Sequence, residues 1–328
     1  MVNLSDIRAA RERLRGITLH TPLVQFPLCA DDPRRLFLKP ENQQPIGAFK
    51  LRGAYNKISQ LSEEERQRGV ITYSSGNHAQ GVAYAARALG VKAVIVMPAA
   101  APAIKREKTA ALGAELVLVG PTGVERQLRA EELAAQHGYV IIPPYADEQI
   151  IAGQGTVALE ILEDLPDVEM VLAPVGGGGL ISGVATAIKL TNPNVKVIGV
   201  EPELGADARA SLKAGHVVQF PAADVTRTIA DGLRAQYIGD INFEHIRRYV
   251  DDIISVTEDE ILRATHYLSR NPVTVAEPSG AVATAGFIFH AAELPPAKLA
   301  VAIISGGNVD PEILKETVEK AGLKPTAP

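Results

Sequence analysis

Short apolar runs alternate with longer, alanine-rich amphipathic segments along most of this chain, and that alternation limits the folds open to it. Residues 36–38, 70–73, 91–97, 116–119, 140–142, 170–175, 195–200 and 299–304 read as strands. Residues 79–89, 104–112, 124–137, 155–165, 180–190 and 258–268 read as helices between most of them. Near-continuous apolar strands need cover on both faces, which a parallel sheet between helix layers supplies. Gly90, Gly113 and Gly138 stand where helices close, as left-handed caps would. At 328 residues the chain exceeds one usual domain, so two lobes or one large α/β unit are expected. No solenoid repeat or low-complexity linker interrupts the pattern. The chain stops soon after its last strand and helix, so no C-terminal regulatory domain is expected.

Charge and cysteine usage remove several function classes. Net charge is −5 with no strongly basic stretch, which disfavours nucleic acid as a partner. No apolar run approaches membrane-spanning length, and no secretory signal is read after Met1. The single cysteine, Cys29, cannot form an internal disulfide and fits a reducing cytoplasm.

Chemistry is expected at the carboxyl ends of the strands. Pro45-Ile46-Gly47-Ala48-Phe49-Lys50-Leu51-Arg52-Gly53-Ala54 sets Lys50 among apolar and small residues. Desolvation there would favour the neutral, nucleophilic amine that attacks a carbonyl; by itself such a lysine equally packs its stem and snorkels its head to water. Ser74-Ser75-Gly76-Asn77-His78 follows the strand 70–73 and opens a helix, a place where amide N–H groups bind an anion such as a substrate carboxylate. His78 begins that helix and is kept out of the catalytic set. Gly176-Gly177-Gly178-Gly179 follows the strand 170–175 and forms an anion nest at a helix start, with phosphate as the natural guest. Its spacing is not G-x-G-x-x-G, and no Gly-Lys pair occurs in the chain, so neither a dinucleotide nor a nucleoside triphosphate is indicated. Ser305-Gly306-Gly307-Asn308 follows the last strand. Glu201 and Asp207, with the Gly205 carbonyl between them, have the donors for a hard cation, but read alone they are a solvated acidic loop.

In this order the motifs resemble the serine/threonine dehydratase and serine racemase family, pyridoxal-phosphate enzymes of the tryptophan-synthase β-like fold. Thr21-Pro22-Leu23, Ile151-Ala152-Gly153-Gln154-Gly155-Thr156 and Ala276-Glu277-Pro278 add to the likeness, which covers nearly the whole chain. The resemblance implies fold type II: two lobes of open, twisted, mostly parallel sheets with helices on both faces. Residues 1–68 and 146–328 would form a large cofactor-binding domain and 69–145 a small mobile one. Lys50 would be the Schiff-base lysine and proton-transfer base, with Phe49 packed on the cofactor ring and Asn77 bonded to its phenolic oxygen. The N–H groups of Gly176, Gly177, Gly178 and Gly179 would hold its phosphate, and Ser305 would meet the pyridine nitrogen. Ser74, Ser75, Gly76, Asn77 and His78 would bind substrate, with Ser75 on the face opposite Lys50. Glu201, Gly205 and Asp207 would match the divalent-cation site of part of the family, with Mg²⁺ or another divalent cation as the ion.

The activity implied is loss of water from L-threonine or L-serine, giving 2-oxobutanoate or pyruvate plus ammonia. Racemisation, with Ser75 returning the proton, and dehydration of 3-hydroxyaspartate stay open as alternatives. Threonine and serine differ by one methyl group, worth about 1–3 kcal/mol in a pocket. The resemblance also implies a homodimer or homotetramer.

Overall fold

The computed structural model describes residues 1–74, 76–101, 103–120 and 123–309. Among these, ten strands form two sheets. In chain order they are β1 (Val24–Phe26), β2 (Arg35–Pro40), β3 (Val70–Tyr73), β4 (Ala93–Pro98), β5 (Glu115–Val119) and β6 (Val140–Ile141). They continue with β7 (Met170–Pro174), β8 (Lys196–Pro202), β9 (Asp252–Val256) and β10 (Leu299–Ile304). The larger sheet has the order β1-β2-β10-β7-β8-β9 and the smaller β5-β4-β3-β6. All pairings are parallel except that of β1 with β2.

Alternate residues of each central strand feed two separate cores, the direct result of a two-residue side-chain period. Val171, Ala173, Val197, Val301 and Ile303 face one core, shared with the helices Leu4–Leu14, Glu148–Asp164, Gly179–Thr191 and Asp240–Tyr249. Leu172, Ile198, Val200, Ala300, Ala302 and Ile304 face the other, covered by Glu258–Ser269 and Pro278–Phe289. The smaller sheet repeats the arrangement. Val70, Ile95 and Met97 pack with Leu51, Ala54 and Ile58 of the helix Lys50–Ile58. Ile71, Val94 and Val96 pack on Ala130, Leu133 and Ala134 of the helix Gly123–His137. No helix among the described residues is long and apolar enough to cross a membrane.

Gly90, Gly113 and Gly138 have φ of 68°, 88° and 72°, the left-handed conformation expected of helix caps. Other expectations need correction. Strands β1 and β9 lie outside the predicted set, because β1 spans three residues and Ser255 interrupts the apolar run of β9 between Ile254 and Val256. The predicted helix 155–165 is longer, Glu148–Asp164, and starts where the Asp147 carboxylate accepts from the amides of Gln149 and Ile150. Gly153 and Gly155 resemble helix breakers in sequence but sit mid-helix for packing. A Cβ on Gly153 would lie 2.6 Å from the Arg52 carbonyl oxygen, and one on Gly155 2.9 Å from that of Gly183.

Candidate active site

Lys50 is the first residue of its helix, and its ammonium points into a cavity of about 410 Å³. Its Nζ donates 2.7 Å to the Pro144 carbonyl and lies 5.2 Å from the centre of the Phe49 ring. No carboxylate pairs with it among the described residues. Burial without a counter-charge lowers its pKa to about 8, the direction desolvation gives a lysine. About a tenth of the amine is then neutral at pH 7, against roughly 0.03% for an ordinary lysine.

The helix that carries Lys50 is pinned from beneath by charge. Arg52 is buried and donates to Glu41 Oε2 at 2.7 Å and Glu160 Oε1 at 2.6 Å. Lys39, equally buried, pairs with the second oxygen of Glu160 at 2.6 Å. Two cations and two carboxylates thus neutralise each other out of water. The four members stand at positions 39, 41, 52 and 160, so no local stretch of sequence announces the set.

The other predicted residues converge on the same cavity. Phe49, Ser74, Gly76, Asn77, His78, Gly176, Gly177, Gly178, Gly179 and Ser305 all line it. Ser75 lies outside the described residues. His78 is buried and its Nε2 donates 3.0 Å to the Ile142 carbonyl. Burial and the nearby Lys50 push its pKa down to about 3. Ser305 follows β10, with its Oγ 3.4 Å from the Ser279 carbonyl.

The glycine loop suits a phosphate, for a reason only half visible in sequence. Gly178 has φ 89° and caps the helix Gly179–Thr191, so the first amides of that helix have no intrahelical acceptor. The space a side chain would need is taken by the protein itself. A Cβ on Gly177 would meet the Tyr145 ring at 2.2 Å, and one on Gly176 the Leu233 Cα at 3.1 Å.

The acidic group is not a solvated loop. Glu201 and Asp207 are fully buried and Gly205 is buried with them. Glu201 accepts from the amides of Ala208 at 3.1 Å and Arg209 at 2.8 Å. Both carboxylate oxygens of Asp207 are buried, and among the described residues no side chain donates to them; only the backbone amides of Asp207 and Ile238 act against the effect of burial. Burial raises the pKa of Asp207 to about 7, and burial plus the Asp207 charge raises that of Glu201 well above the carboxylate range.

Several residues of this region escaped the sequence reading of the site. Glu277 and Tyr145 line the cavity, and Asn308 donates to Asn77 Oδ1 at 2.8 Å. The motifs holding Glu277 and Asn308 were visible, but a contact across 200 residues has no local signature.

Comparison with known proteins agrees with this geometry. The L-threonine ammonia-lyase of Thermotoga maritima is 44% identical over 99% of this chain and 80% of its own length. The L-threo-3-hydroxyaspartate ammonia-lyase of Saccharomyces cerevisiae is 41% identical over 93% of each chain. The structure of maize serine racemase superposes with a TM-score of 0.91 at 36% identity, covering 97% of both chains. The expected fold of open, mostly parallel sheets with helices on both faces is the one observed. The family model described as pyridoxal-phosphate dependent enzyme matches residues 15–306, which include Lys50 and the four-glycine loop that line one cavity, and the chain belongs to that family.

Proposed function

We propose that this protein removes water from a β-hydroxy amino acid, L-threonine or L-serine, releasing 2-oxobutanoate or pyruvate and ammonia. The observation that carries the reading is Lys50, a cavity-facing amine with a depressed pKa and only a carbonyl as partner. Bound pyridoxal phosphate supplies an electron-withdrawing ring for charge left on the substrate Cα. The amides of Gly176 to Gly179 hold the phosphate, Phe49 packs on the ring and Asn77 meets the phenolic oxygen. Ser305 offers the ring nitrogen a neutral hydroxyl rather than a carboxylate, which keeps that nitrogen uncharged and favours elimination over transamination. Lys50 Nζ takes the Cα proton. Ser74, Gly76, Asn77 and His78 hold the substrate carboxylate. Residues 69–145 close over the substrate as a small domain against 1–68 and 146–328.

A second reading, dehydration of 3-hydroxyaspartate, draws support from Lys105 and Arg126, basic side chains among the cavity lining. Racemisation by the same residues is the third outcome, supported by the likeness to maize serine racemase. Keto-acid release from L-threonine, L-serine and L-threo-3-hydroxyaspartate, with D-amino acids measured in parallel, separates the three. Fastest keto-acid release from L-threonine or L-serine is expected. D-serine without keto acid would replace the proposal with a racemase.

We also propose that Glu201, Asp207 and the Gly205 carbonyl hold Mg²⁺ or a similar cation. The Asp207 carboxylate, to which no side chain among the described residues donates, supports this, since a buried anion so placed calls for a cation. Mg²⁺ is expected to raise the melting temperature of the wild type, and EDTA to reverse the gain. In Asp207→Asn the gain should vanish, while the metal-free variant melts no lower than the metal-free wild type, because like-charge repulsion with Glu201 is gone. A wild-type melting temperature indifferent to Mg²⁺ would remove the cation. Family membership supports a homodimer or homotetramer, and the unpaired thiol of Cys29 supports a cytoplasmic home.

A further inference from the structure

Glu277 caps the N-terminus of the helix Pro278–Phe289 but makes no side-chain bond to the helix it begins. Its carboxylate turns instead into the cavity, where Oε1 accepts from Asn77 Nδ2 at 2.5 Å. The other end of the Asn77 amide is held as firmly: Oδ1 accepts from Asn308 Nδ2 at 2.8 Å. The same Asn308 nitrogen donates to the Ile46 carbonyl at 2.7 Å, which fixes the orientation of Asn308 in turn. The chain of bonds therefore has a sense. A backbone carbonyl sets one amide, that amide sets Asn77, and a carboxylate, which when ionised only accepts, closes the line. Turning the Asn77 amide over would set its oxygen against the carboxylate and its nitrogen against a donor.

We propose that Glu277 is a positioning residue that, with Asn308, locks the Asn77 amide so that the second Nδ2 hydrogen is kept for a ligand oxygen. An amide nitrogen carries two hydrogens, and the bond to Glu277 uses one. This rests on the reading above, in which Asn77 meets the phenolic oxygen of pyridoxal phosphate. Gly306 is part of the device: a Cβ there would lie 2.5 Å from Glu277 Oε1 and 2.8 Å from Asn77 Nδ2. The helix start behind Glu277 favours its ionised form. Burial and Asp231 oppose ionisation and raise its pKa to about 7, while the Asn77 bond and Lys105 act the other way.

The test compares wild type, Glu277→Ala, Glu277→Gln and Asn308→Ala, by pyridoxal-phosphate titration and by the visible absorption of the bound cofactor. Glutamine keeps an acceptor oxygen and alanine does not. Glu277→Ala and Asn308→Ala are each expected to weaken cofactor binding roughly ten-fold, the scale of one well-placed hydrogen bond, and to shift the absorption band. Glu277→Gln should bind within about three-fold of wild type with an unshifted band. Wild-type binding and spectrum in Glu277→Ala would overturn the proposal. So would equal losses in the alanine and glutamine variants, which would make the charge, not the acceptor, the active feature. If Glu277→Ala does not fold, Asn308→Ala against Glu277→Gln decides the matter alone. Failure of the underlying reading shows separately, as a wild type that binds no pyridoxal phosphate.

Discussion

Lys50→Ala is expected to lower keto-acid release by at least about a thousand-fold while leaving the fold intact. The variant removes the amine assigned to both cofactor attachment and Cα proton transfer, and among the described residues no second lysine makes a comparable approach in the cavity. Lys105 is also among the lining residues, but it is bound to Asp231 Oδ2 at 2.5 Å. Stability should hold, because the lost group is an ammonium whose burial already disfavours its charge. Lys50→Arg should be equally inactive, since a guanidinium stays protonated and cannot act as a nucleophile or base near neutrality. The check is direct. Borohydride treatment of the loaded wild type should fix a pyridoxyl label on the Lys50 peptide, and neither variant should carry it. Substantial activity in Lys50→Ala would end the assignment of this residue.

Arg52→Met is expected to destabilise the protein by about 3–5 kcal/mol, measured as a lowered denaturant midpoint. Removing the guanidinium leaves Glu160 with Lys39 but strips Glu41 of the only cation paired with it among the described residues. Glu41 would keep just Thr21 Oγ1 at 3.2 Å and Gln44 Nε2 at 3.3 Å, two neutral donors for a wholly buried carboxylate. The cost is therefore mainly that of an orphaned charge, which predicts partial recovery in Arg52→Met/Glu41→Gln. A loss below about 1 kcal/mol in the single variant would mean that water reaches Glu41 and that the network is not sealed.

The fold was legible where the chain signals locally. Apolar strands, alanine-rich helices and the closing glycines announced the parallel sheets, and the glycine loop and Lys50, which line one cavity, stood out by their local composition. What stayed hidden depends on distant partners. Glu201 and Asp207 read as surface acids because nothing nearby in sequence says that β8 ends inside the protein. Glu277 gained meaning only once Asn77 stood beside it. Gly153 and Gly155 looked like a boundary because the backbones they admit belong to other helices.

The position of β10 bears on how the chain is made. It lies between β2 and β7 in the larger sheet, although it is the last described strand. During synthesis the ribosome must deliver nearly three hundred residues before residues 299–304 emerge to join the two halves. Until then β2 and β7 each present an open apolar edge, the kind of surface that recruits chaperones or aggregates. The nascent protein is thus vulnerable for almost its entire translation. A truncation that removes even the last described strand therefore costs the middle of the larger sheet rather than its edge.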